Sequence, residues 1–106
     1  MNDCEKVRVL NDEFRKTFSG GRVVVTAGIA ARADVTEIVN RVRCFSEFTE
    51  DNDPYGEHDF GAIDHLGDKV FWKIDCYDLH MEMGSEDPAN PAVTTRVLTI
   101  MLSHEY

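Results

Sequence analysis

Residues 69–78, Lys-Val-Phe-Trp-Lys-Ile-Asp-Cys-Tyr-Asp, constrain the fold more than any other stretch of the chain. In an extended backbone Val70, Trp72, Ile74 and Cys76 share one face, and Phe71, Lys73, Asp75 and Tyr77 share the other. Aromatics on both faces mark a central strand, which needs neighbouring strands and a covering layer. The other segments are read as supplying both. A chain of 106 residues, 42 % of them hydrophobic, suits one domain spanning 1–106 with a single core.

The covering layer is sought in helical periodicity. Asn2 and Glu5 form a capping-box pattern, and Val7, Leu10, Phe14 and Phe18 recur at helical spacing, so a helix is predicted over 3–18, stopped by Ser19-Gly20-Gly21. Asp34 and Glu37 repeat the capping pattern before Val35, Ile38, Val39, Val42 and Phe45, predicting a second helix over 34–47. Asn90 as N-cap and Pro91 at the first helical position precede Val93, Val97, Ile100 and Met101, predicting a third helix over 91–104.

Between these, Arg22-Val-Val-Val-Thr26 reads as a short strand buried on both faces, and Gly28 as a bend or a point of close packing. Residues 58–63 make an imperfect strand, His65-Leu66-Gly67-Asp68 a hairpin turn, and 79–83 a short closing strand. The expected class is α+β: three helices packed on a small antiparallel sheet, in the order α-β-α-β-β-(β)-α.

Charge is distributed unevenly. Residues 47–90 hold thirteen acids against Lys69 and Lys73, a net −11, whereas residues 1–46 are +2 and the whole chain is −9. The densest part is 47–59, where six of thirteen residues are carboxylates and Pro54 and Gly56 favour a turn. Such a surface repels nucleic acid and anionic membrane and attracts basic partners. Carboxylates at i and i+2 of a strand stand about 6.8 Å apart, from ~3.4 Å rise per residue. That spacing resembles successive phosphates along a nucleic-acid strand. The residues assigned to partner binding are Glu47, Glu50, Asp51, Asp53, Glu57, Asp59, Asp64, Asp68, Glu86 and Asp87. The bland alternative is a solvated acidic face that maintains solubility.

Other chemistries fit less well. Asp51-Asn52-Asp53-Pro54-Tyr55-Gly56 begins like a calcium loop but fails at Tyr55 and at Ala62, where the bidentate Glu should stand. Asp53, Glu57, His58 and Asp59, alone or with His65 and His80, offer metal-ligand types without a metal-site spacing, and support a metal-dependent enzyme as the alternative. Cys4, Cys44 and Cys76 form no CxxC and read as three reduced thiols. Asp75 and Asp78 would disfavour a Cys76 thiolate. Cys44 beside Arg43 is the better nucleophile, but no His is paired with it. There is no GxGxxG or P-loop, no cofactor is expected, and Met1–Glu5 is polar rather than a signal core. No run approaches the ~18 apolar residues of a membrane span, so the expected setting is cytoplasmic.

Several stretches are shared with a known family. Asp51-Asn52-Asp53-Pro54-x-Gly56-Glu57-His58-Asp59-Phe60-Gly61, Phe71-Trp72-Lys73-Ile74-Asp75, and Gly84-Ser85-Glu86-Asp87-Pro88 through Thr94-Thr95-Arg96-Val97-Leu98-Thr99-Ile100 carry the likeness. So do Leu10-Asn11-Asp12-x-Phe14-Arg15 and Ser19-Gly20-Gly21-Arg22-Val23-Val24. The chain resembles a family of small alphaproteobacterial proteins of unknown function, often borne on plasmids and mobile elements. The resemblance implies a bacterial, mobile-element setting and supplies no catalytic residues. Cys76 departs from it, standing where the family is expected to carry an aromatic. The resulting expectation is a non-enzymatic acidic protein that engages a basic site, as a nucleic-acid mimic, on a nucleic-acid-binding defence protein of restriction or CRISPR type. A structural accessory protein without an active site is the third alternative.

Overall fold

The computed structural model describes residues 1–106. Helix α1, Asp3–Thr17, starts where Asn2 Oδ1 accepts the Glu5 N–H at 2.9 Å. It carries Asp3 and Glu5 in its first turn and Arg15 and Lys16 in its last, matching the helix dipole. It ends at Phe18, in the left-handed conformation with φ 59°. A one-turn helix α2, Ala27–Ala30, follows the first strand, and α3 spans Val35–Arg43. The capping box expected at Asp34 does not form. Its carboxylate is held instead by Arg32, at 2.8 and 3.0 Å.

Four strands make one sheet in the order β1-β4-β3-β2: β1 Gly21–Val25, β2 Phe60–His65, β3 Asp68–Tyr77 and β4 Thr95–Leu102. Strands β2 and β3 form the expected hairpin, turning through Leu66 and Gly67, both at positive φ as a two-residue turn requires. β3 is central, paired on both sides, with Val70, Trp72 and Ile74 buried.

The α+β class stands, and several details of the expected order do not. Residues 95–102 are not helical. Pro91–Val93 forms a single 3-10 turn, capped by Asn90, and the chain then becomes β4 between β1 and β3. The sheet is mixed rather than antiparallel, because β1 runs parallel to β4. β1 is an edge strand with four of its five residues exposed, not a strand buried on both faces. Residues 79–83 are turns held by Asp78, whose Oδ1 accepts from the backbone of His80 and Glu82. Only an isolated bridge between Tyr77 and Gly84 remains of the expected fourth hairpin strand.

One sheet face carries the core. Phe14 of α1, Ile29 of α2, and Ile38 and Val42 of α3, with Phe45, pack on Ile63, Val70, Trp72, Ile74, Leu98 and Ile100. Trp72 is fully buried. The Arg15 guanidinium lies over its ring, 5.0 Å from the centroid, and donates to the Val42 and Phe45 carbonyls, tying α1 to the end of α3. On the opposite face Tyr106 folds back across Phe60 and Phe71. No helix is long and apolar enough to cross a membrane.

Candidate functional site

The acidic stretch 47–59 lies within the irregular connection between α3 and β2, and it is fastened at both ends. Thr49 and Asn52 bond each other's backbone N–H groups, and Asn52 Nδ2 reaches the Glu47 carbonyl at 2.8 Å. Further on, α1 holds the loop: Arg8 donates to the Gly56 carbonyl and Asn11 Nδ2 to the Glu57 carbonyl at 2.9 Å.

His58 is the pivot. Its φ of 54° reverses the local direction of the chain. Its ring stacks flat on Phe48 at 3.6 Å, with Nδ1 2.9 Å from Asp12 Oδ1 and Nε2 3.4 Å from Asp53 Oδ2. Asp53 therefore faces inward. Its side chain is 6 % exposed and also accepts the His58 N–H.

The residues flanking His58 point elsewhere. β2 ends at Phe60, while β3 continues to Tyr77, leaving a short gap on this flank before Ser85 N–H donates to the Cys76 carbonyl at 3.0 Å and Tyr77 bridges Gly84. Asp59 bridges the gap with its carbonyl, which accepts the Ile74 N–H at 2.8 Å. There Glu57, Asp59, Asp75 and Cys76 line a cleft of about 240 Å³ with Val7, Asn11 and Pro88. Lys73 stands 3.0 Å from Asp75, and neither Glu57 nor Asp59 has a basic partner within ion-pair distance.

This electrostatic frustration shows in protonation. Burial, then the charges of Asp59 and Asp53, hold the Glu57 carboxyl above its ordinary range. Burial likewise raises Asp59, against its own backbone N–H, with Asp53 and Asp75 adding to the rise. Burial pushes the Cys76 thiol up as well. Arg96 opposes that shift, and the neighbouring carboxylates reinforce it. Arg96 is the residue that sequence reasoning missed. It is 3 % exposed, pairs across the sheet with Cys76, and donates to Asn11 Oδ1 at 2.8 Å and to the Pro88 carbonyl, with no carboxylate opposite it. Its signal was a lone cation inside the otherwise uncharged run 93–102.

The remaining expected residues divide into three groups. Glu47, Glu50 and Asp51 are exposed on the loop. Glu86 and Asp87 are exposed and precede Pro88, which lines the cleft. Asp64 and Asp68 lie at the far end of the β2–β3 hairpin, Asp64 3.7 Å from Lys69 and Asp68 2.6 Å from Arg32. The four residues of the metal reading do not converge, since His58 and Asp53 turn toward α1 and Phe48 while Glu57 and Asp59 line the β3 cleft. No group of three or more His, Cys, Asp or Glu side chains is placed to hold a metal ion. His65 is buried 3.2 Å from Asp34, and His80 is exposed in the 78–94 connection.

The fold and this cleft define a small α+β protein in which Glu57, Asp59 and Asp75 line one small cleft beside the sheet, with a basic partner for Asp75 alone. Residues 25–105 match the model of a family described as a protein of unknown function, DUF3768, and the chain belongs to that family. No curated protein and no solved structure matches it.

Proposed function

We propose that the protein is a non-enzymatic binding protein whose acidic surface takes a basic side chain, and around it a basic patch, from a partner protein. One observation carries the reading: Glu57 and Asp59 line one cleft with protonation pushed up and no cation of their own chain within ion-pair distance. Like charges held together raise free energy, and an inserted guanidinium or ammonium relieves that cost. Exposed Glu47, Glu50, Asp51, Glu86 and Asp87, on the connections that also carry Glu57, Asp59 and Pro88, add to the negative field. The loop is braced on α1, so the carboxylates are presented without a large ordering cost.

A surface of this kind competes with nucleic acid for a basic groove. In the mobile-element setting that the family resemblance implies, the partner class is a nucleic-acid-binding defence protein of restriction or CRISPR type, bound in place of its nucleic acid. The test is capture from a bacterial lysate by wild type and by the Glu57→Gln/Asp59→Asn variant, with elution by salt and by duplex DNA. Wild type is expected to retain a nucleic-acid-binding protein that DNA releases and that the variant retains at least tenfold less. Equal retention by both, or retention that DNA leaves untouched, overturns the reading.

A further inference from the structure

A larger concavity than the carboxylate cleft lies between α1 and α3, with a volume of about 650 Å³. Its sign is opposite to that of the loop. Lys16 and Arg43 both line it, and neither takes part in any of the nine ion pairs of the molecule. Both stand on the wall of one concavity, so their charges fall on the same enclosed space.

Arg43 is already aimed. Its Nε donates to the Lys16 carbonyl at 3.0 Å and its guanidinium lies over the Phe18 ring at 5.2 Å. Those two contacts use one nitrogen and one face of the group. The two Nη atoms, the edge that forks onto an oxyanion, have no protein partner.

The one acid in the lining does not oppose an anion. Asp12 is engaged by Arg15 Nη1 at 3.1 Å and by His58 Nδ1 at 2.9 and 3.0 Å. Arg15, 1 % exposed, is itself committed to Asp12 and to the Val42 and Phe45 carbonyls. Asn40 and Ser46 add neutral hydrogen-bonding groups to the same wall, and half-buried Phe48 gives it an apolar side.

We propose that the α1–α3 cleft binds a phosphate monoester, with the Arg43 Nη pair and Lys16 Nζ on the phosphate and Phe48 against the organic group. Two neighbouring cations match a group carrying about −1.5 to −2 charges at neutral pH better than a monoanion. The site is independent of the Glu57–Asp59 cleft, and the inference does not rest on the binding function proposed there.

The test is a titration of the full chain, followed by amide chemical shifts and calorimetry, with phenyl phosphate, inorganic phosphate and benzoate. Phenyl phosphate is expected to saturate a single site, shifting amides at 16, 40, 43 and 46, and to bind more tightly than either of the others. Arg43→Gln is expected to weaken it by about tenfold or more, the loss of a charge-assisted fork. Asn40→Asp, which leaves both cations in place and adds a negative charge to the wall, is expected to weaken it as well. Circular dichroism confirms that each variant is folded. Non-saturable shifts, equal affinity for inorganic phosphate or benzoate, or unchanged affinity in folded Arg43→Gln and Asn40→Asp overturns the proposal.

Discussion

At the scale of single residues the core turns on Gly61 and Trp72. A Cβ on Gly61 would stand 2.3 Å from Trp72 Nε1 and 2.9 Å from Phe45 Cζ, so the indole fits only because β2 has no side chain there. Gly61→Ala is expected to destabilise by about 1–3 kcal/mol through overpacking. Trp72→Ala is expected to cost about 3–5 kcal/mol through the cavity it leaves. Chemical denaturation measures both, and a loss below about 1 kcal/mol for Trp72→Ala would place the ring outside the core. Glu57 and Asp59 lead to a prediction of opposite sign. Each has its folded-state protonation raised, so each contributes stability that is present below the ordinary carboxylate range, near pH ~4, and lost as pH rises through the raised value. Glu57→Gln and Asp59→Asn are therefore expected to be more stable than wild type at pH 7, with the gap closing toward pH 4 in parallel melts. Variants less stable than wild type at neutral pH would show that these carboxylates support the fold rather than strain it.

At the scale of elements, β4 decides both stability and legibility. It is buried along nearly its whole length and hydrogen-bonded on both sides, with Leu98 and Ile100 fully buried. Its amides are expected to exchange among the slowest in the molecule, and Leu98→Ala is expected to cost about 2–5 kcal/mol by denaturation. Amides of β4 exchanging as fast as those of edge strand β1 would contradict the sheet order. The sequence concealed this strand for a physical reason. A strand buried on both faces has no alternation, and Val93, Val97, Ile100 and Met101 then fall at three- and four-residue intervals like a helix stripe. The Asn90-Pro91 signal was real, but it caps one 3-10 turn. Thr94, Thr95, Val97, Thr99 and Ile100 held the contrary information, since β-branched residues favour strands. The β2–β3 hairpin was legible because its turn and the alternation of β3 agreed. The inward turn of Asp53 was not legible, because it depends on Asp12, Phe48 and His58 meeting across 46 residues of sequence.

At the scale of the whole molecule two surfaces of opposite sign stand on one small body, the carboxylates of the connections and the Lys16–Arg43 cleft. Association through the carboxylate surface is expected to be governed by long-range attraction, so it should slow steeply as salt shortens the screening length from about 10 Å at 0.1 M to about 3 Å at 1 M. Reversing Glu50, Asp51 and Asp59 to Lys should slow association with the captured partner far more than it alters the melting temperature. A folded triple variant that associates at the wild-type rate would reduce the acidic stretch to a solvated surface. The pairing of β1 with β4 has a different kind of consequence. Gly21 lies against Arg96, 75 positions later, and the strand between β1 and β3 is the last of the four to be made. As the chain leaves the ribosome, β1 and its three valines have no neighbour until residue 102 has emerged. A nascent chain arrested at residue 94 should show no protected β1 amides and should be readily cleaved by protease, and protection should appear in one step once β4 is free. The sheet is thus completed only after all its strands have been synthesised, and until then β1 waits without a strand to pair with.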